Sequence, residues 1–179
     1  MQDSGALLLG AFDGAELVGF VFGVLGLLPE QLAEGQLAQQ RLKMYSVMAG
    51  VKAAYRGLDV GYRLKLAQRE EALGLGMKLI SWTSDPLLRL NGRFNIHKLG
   101  AVCHRYRPNF HGEMGGINAG LPSDRFEVFW WVDSERVVER LETKRSFAQS
   151  SPIAKIRTLN PCAMNAQAQP LPPAEWHIN

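Results

Sequence analysis

The chain has 179 residues, enough for one domain with a substantial hydrophobic core. An apolar share of 46%, a charged share of 21% and a net charge of +3 are ordinary for a globular protein. The pI near 9.0 permits an anionic ligand, but no basic stripe interleaved with aromatics appears, which argues against a nucleic-acid partner.

Cys103 and Cys162 stand far apart, with no CxxC or Cys/His ligand spacing. Neither a disulfide framework nor a metal site is expected, and a reducing cytoplasm is the expected location. The N-terminus lacks a basic region followed by an apolar one, and no run reaches about 18 apolar residues. Neither secretion nor a membrane partner is indicated.

Residues 6–11 and 16–25 flank Asp13-Gly14, a hairpin turn signal. In the second run Leu17, Val21 and Leu25 fall on one side and Val18, Phe20 and Phe22 on the other, which predicts a strand covered on both faces. Residues 29–42 are polar and read as a loop with a helical turn. A third strand is predicted at 43–51, a turn at 52–59 and a helix over about 60–73. That helix carries Val60, Leu64 and Ala67 at i, i+4 and i+7, with Arg63, Gln68, Arg69 and Glu70 largely elsewhere. Gly74 and Gly76 end it.

A fourth strand follows at 78–83. Ser84-Asp85-Pro86 then signals a helix start, and the second helix is predicted to run to Leu99 and stop at Gly100. Strands at 101–107 and 125–132 flank a Gly-rich loop at 112–120, and Ser134 is the expected cap of a short helix at 134–142. Residues 1–149 thus form the domain, and 150–179 a Pro-rich tail, loop or extended. The order β-β-β-α-β-α-β-β argues for an α/β domain with a mixed sheet and helices packed on it.

The chemistry-bearing segment is the strand, turn and helix around Tyr55-Arg56-Gly57-Leu58-Asp59-Val60-Gly61. Glycines let backbone approach an anion, and the first N–H groups of a helix point outward with no intrahelical partner. Arg56, Arg63 and Lys65 add positive charge within a turn or two. The same features fit a plain strand-to-helix turn with a solvated basic face, and the residues alone leave both readings open.

Val51 to Gly61 resembles the signature V-x-P-x-x-(Q/R)-x-x-G-x-(G/A) of the GNAT (N-acetyltransferase-like) superfamily. Asn91 to Gly100 is similar to the second GNAT motif, a helix ending in K-L-G before a strand. Trp82-Thr83-Ser84-Asp85-Pro86 and Phe94 to Gly100 further resemble a bacterial GNAT subgroup carrying W-T-x-D-P and F-N-I-H-K-L-G. The resemblance spans roughly residues 6–132 and implies a mostly antiparallel GNAT-like sheet.

It also implies acetyl-CoA or another acyl-CoA as cosubstrate. Backbone groups of Val51 and Ala53, flanking Lys52, would pair with the pantetheine arm. Amides of Arg56, Gly57, Leu58, Asp59, Val60, Gly61 and Tyr62 would hold the pyrophosphate, and Asn91 or Asn95 would lie beside the arm or its thiol end. The implied reaction is direct attack of an amine on the thioester, moving an acetyl or succinyl group to a small-molecule amine or amino acid.

The chain departs from the pattern at three positions. Ala53 replaces the motif Pro, Asp59 replaces a motif Gly, and Ile96 stands where many members carry an acid tyrosine. The Asp59 side chain is expected to turn toward Arg56 or Arg63. Asp85, His97 and Tyr106 are then the proton-handling candidates, with His104 and His111 beside them. Asp85 also reads as a helix cap and each histidine as a structural residue, while Cys103 reads as core.

The family fold normally opens with a strand and two helices, whereas this chain starts near the second strand. Members of the subgroup are longer at both ends, so the chain is expected to be a fragment or start-site variant. Core around Leu7 to Leu9 and Phe20 to Phe22 is then expected to be covered by the tail or by a second subunit in a homodimer. Asp59, the lost tyrosine and the missing first strand also support another reading, a non-catalytic acyl-CoA-binding or protein-interaction module.

Overall fold

In the computed structural model, residues 5–28, 41–112, 116, 122–148 and 155–158 are described. The polar segment at 29–40, most of the Gly-rich loop, Cys162 and the closing Pro172 to Asn179 lie outside the described residues.

The Asp13-Gly14 turn closes a hairpin between β1 (Leu7–Asp13) and β2 (Glu16–Leu27), with Gly14 at φ 58°. β3 (Leu42–Val51) adds antiparallel to β2. A 3-10 turn, Ala53–Tyr55, leads into α1 (Val60–Gly74), the crossover that lets β4 (Leu79–Ser84) run parallel to β3. α2 (Arg89–Gly92) passes directly into a π-helical segment, Arg93–Lys98. β5 (Val102–Arg107), β6 (Arg125–Trp131), α3 (Glu135–Ala148) and β7 (Lys155–Thr158) follow. The seven-stranded sheet has the order β5-β6-β4-β3-β2-β1-β7. All its neighbours are antiparallel except β3 and β4, which is the mixed, mostly antiparallel α/β sheet expected.

Several expectations are corrected in detail. The helix foreseen from Pro86 begins at Arg89, because Asp85 closes a turn instead: its Oδ1 accepts the Leu87 N–H at 2.8 Å. The Ser134 carbonyl, not its hydroxyl, accepts the first N–H groups of α3; the hydroxyl donates to Trp131 O. Residues 155–158 of the tail are extended, as expected, and form a strand antiparallel to β1 with Leu9 opposite Thr158 and Ile156 packed against the core. Leu7, Leu9 and Val21 are covered by α1, while Phe20 and Phe22 stay half-buried and Leu17 and Leu25 are exposed. β2 is therefore mid-sheet but dry on one face only.

On that face Leu9, Val21, Met44, Ile80 and Trp130 meet Val60, Leu64 and Ala72 of α1 and Val137 and Leu141 of α3. The approach is close because β2 carries glycine beneath the helix. A Cβ on Gly19 would stand 3.0 Å from Gly50 O, 3.1 Å from Val60 and 3.2 Å from Leu64. Trp130 ties β6 to the π-helical segment by donating its Nε1–H to Leu99 O at 2.8 Å.

Candidate functional site

β3 and β4 pair only at Met44–Ile80 and Tyr45–Ser81, then separate. A register shift explains the separation: Phe22 faces Met48 and Gly23 faces Ser46, so Val47 is an extra residue in β3. Such a bulge bends its strand. The N–H and C=O groups on the β4 side of Ser46 to Val51 consequently have no ladder partner in β4.

Between the strands lies a cleft of about 210 Å³. Ser46 to Ala49 form one wall, Trp82 to Ser84 the other, and Asn91, Phe94 and Asn95 close it from the α2 side. The two asparagines named from sequence thus meet in one place with β3. Lys65 reaches the cleft from α1, and it is the one titratable side chain lining it among the described residues.

The sequence places Lys65 as added positive charge beside the turn, either facing an anion or on a solvated basic face. Instead it is buried, as is Gln68, because both point from α1 toward the splayed strands. Its Nζ lies 2.7 Å from Ser46 Oγ, 3.0 Å from Gln68 Oε1 and 4.2 Å from the centroid of the Trp82 ring. Burial with no carboxylate partner pushes its pKa down to about 7.

Beyond the open edge of β3 the chain enters the turn before α1. Gly57 has φ 82° and Asp59 φ 58°, so the aspartate in the motif-glycine position does take the left-handed backbone. No side chain caps α1. The first helical bond is Arg63 N–H to Asp59 O at 3.0 Å, which leaves the N–H groups of Val60, Gly61 and Tyr62 without intrahelical acceptors. The Asp59 carboxylate turns neither to Arg56 nor to Arg63. It accepts from Lys98 Nζ at 2.6 Å, so the lysine of the K-L-G segment neutralises it. Arg56 donates from Nε to Val51 O at 3.3 Å. Lys52 is engaged elsewhere, its amide with Val18 O and its ammonium with Glu16 at 2.7 Å. Ala53 and Leu58 are exposed beside this turn.

The proton-handling candidates do not line the cleft. Asp85 holds the Leu87 amide, and His97 is exposed on the π-helical segment, where its carbonyl accepts from Arg140. Tyr106 is on β5, separated from β4 by β6. Its hydroxyl donates to Asp124, and that bond raises the tyrosine pKa. His104 stacks on Phe129 at 4.2 Å, and His111 packs edge-on against Phe110. Cys103 is exposed, not core, because β5 is an edge strand with a bulge between Cys103 and Arg105. Sequence reasoning missed Ser46 and the role of Lys65. The available signal was the spacing Gly61, Lys65, Gln68 and Ala72, a single helix stripe.

Among the described residues no cluster of His, Cys, Asp or Glu could hold a metal, and no helix is long and apolar enough to cross a membrane.

No protein-family model matches the chain, and no curated protein matches it in sequence. Solved structures do match it in shape. Arabidopsis thaliana NAA60 in complex with a bisubstrate analogue superposes with a TM-score of 0.59 at 16% identity, covering 71% of this chain and 76% of that one. The ribosomal-protein-S18-alanine N-acetyltransferase of Escherichia coli gives 0.55 at 10% identity, over 73% and 71%. A GNAT-family acetyltransferase of Streptococcus pneumoniae gives 0.55 at 15% identity, over 70% and 67%. With the splayed parallel pair, the bulge in β3 and the uncapped α1, these likenesses show that the chain has the GNAT fold.

Proposed function

We propose that the chain is an acyl-CoA-dependent N-acyltransferase that moves an acetyl or succinyl group to the amine of a small molecule or amino acid. The observation that carries this reading is the continuity of the open β3 edge with the uncapped N-terminus of α1. The edge offers main-chain groups to the amides of a pantetheine arm. The turn at Gly57 to Tyr62 offers unpaired N–H groups to a pyrophosphate, with Lys98 cancelling the one carboxylate there. Asn91 and Asn95 supply side-chain amides beside the cleft. The Escherichia coli neighbour is by name a ribosomal-protein-S18-alanine N-acetyltransferase, which supports an amine acceptor in general.

In the proposed reaction the acceptor nitrogen attacks the thioester carbonyl, a C–N bond forms, and the C–S bond breaks with its electron pair on sulfur. The cleft holds the two reactants side by side, which lowers the entropic part of the barrier.

A thermal-shift titration with CoA, acetyl-CoA and succinyl-CoA tests the reading, with Arg56→Glu as the comparison. Ligand at about 100 times its Kd adds about 2.7 kcal/mol, or roughly 5–10 °C. A shift that falls in Arg56→Glu supports the site. No shift with any thioester refutes it. A shift without transfer to any amine favours the non-catalytic binding module.

A further inference from the structure

The cleft poses a problem for acyl transfer. An attacking amine must lose a proton and a departing thiolate must gain one, yet no carboxylate, tyrosine or histidine lines the cleft among the described residues. Asp85, His97 and Tyr106 are engaged or placed elsewhere. One titratable group is present, and it sits on the floor where β3 and β4 part.

We propose that Lys65, acting through the Ser46 hydroxyl, takes up the proton of the acceptor amine and returns it to the departing thiolate. This rests on the acyl transfer proposed above. The groups facing the lysine are Ser46 Oγ on β3, Gln68 Oε1 one turn along α1 and the indole face of Trp82 on β4, and none of them titrates near neutral pH. Asn91, Phe94 and Asn95 of the helical wall are likewise uncharged. No ion pair reaches Lys65, and burial is the sole cause acting on its acidity.

A serine hydroxyl can donate or accept. It donates to the lone pair of a neutral amine and accepts from an ammonium, so the 2.7 Å contact serves both states. As the C–N bond forms, the acceptor N–H proton passes to Ser46 Oγ while the serine proton moves to Lys65 Nζ. The ammonium keeps Gln68 Oε1 and the Trp82 ring as partners. The C–S bond then breaks, and the proton returns by the same path to the sulfur. Amine and thioester become amide and thiol with no net proton consumed. A base titrating near the working pH is also the most effective kind for such a transfer, and burial supplies that here.

The test follows thiol release from acetyl-CoA with a mixture of free amino acids and an alanine-initiated peptide as acceptors, across neutral pH. Thermal shifts with acetyl-CoA are recorded in parallel for the wild-type chain, Lys65→Met, Lys65→Arg and Ser46→Ala. The wild-type rate is expected to climb to a plateau with a midpoint near pH 7. Lys65→Met and Lys65→Arg should both lose about 100-fold or more and the pH limb with it, while keeping the acetyl-CoA shift. Arginine keeps charge and length but holds its proton, so equal loss in both variants separates proton uptake from packing. Ser46→Ala should lose rate and keep the midpoint.

A Lys65→Met or Lys65→Arg chain that retains the limb and rate overturns the proposal and leaves the acyltransferase reading standing. A wild-type chain with no shift for CoA, acetyl-CoA or succinyl-CoA, or with a shift and no thiol release with any amine, overturns both.

Discussion

Lys98 lies on the segment that ends in K-L-G, yet its ammonium is bound to Asp59 at the mouth of α1. Replacing it with methionine leaves a carboxylate unbalanced where the proposed pyrophosphate would sit. Two unit charges about 4 Å apart repel by roughly 1 kcal/mol in water and about 4 kcal/mol at an effective dielectric near 20. The side chains of Asp59 and Lys98 are 41% and 34% exposed, which discounts the upper figure. A loss of about 1–2 kcal/mol is expected, or roughly 5–30-fold in the Kd for CoA. Isothermal titration with CoA measures it, and added salt should shrink the difference. Asp59→Gly in the Lys98→Met background removes the charge at a φ of 58° that glycine tolerates, so affinity should return. An unchanged Kd in Lys98→Met, or a double variant as weak as the single one, would refute this account of how the turn accepts an aspartate.

Two further outcomes concern stability. Gly19→Ala drives a Cβ to 3.0 Å from Gly50 O and to 3.1 Å from Val60, so α1 must lift from the sheet; a cost of about 1–3 kcal/mol should lower the Tm by several degrees, read by calorimetry. The lysine on the cleft floor should also make stability depend on pH. Its folded pKa is about 7 against an ordinary 10.5, so the unfolded chain binds more protons between these values. Stability relative to Lys65→Met should therefore be greatest above about pH 10.5, fall as the pH drops toward 7, and level off below. Urea midpoints across that window check it, and parallel curves for the two chains would contradict it.

The turn at Val51 to Gly61 was legible because it is local. A strand, residues able to take left-handed backbone, and an amphipathic helix follow one another within one short segment. The order of elements along the chain up to α3 was legible for similar reasons, since Asp13-Gly14, Gly74, Gly76 and Gly100 punctuate the elements where the chain turns. What was not legible depends on partners distant in sequence. Asp59 and Lys98 are 39 residues apart, and nearer arginines offered a simpler partner. Gln68 reads as lying off the apolar stripe and Lys65 as added charge beside the turn, because both are polar. They face inward because glycines in β2 admit α1 closely, and because the bulge at Val47 leaves a polar gap for them to fill. Cys103 read as core because strand periodicity does not reveal that its strand is the last in the sheet.

The pairing of β7 with β1 joins the first described strand to the last. As the chain emerges from a ribosome, the β7 partner of β1 is complete only when Thr158 has been made, well after α1. Contacts so distant in sequence form slowly, and an unpaired strand edge is a template for other chains. The interval between synthesis of Leu9 and of Thr158 is thus when this sheet is most open to pairing with the wrong strand. Residues 155–158, which do not line the cleft, bear on how cleanly the domain is made.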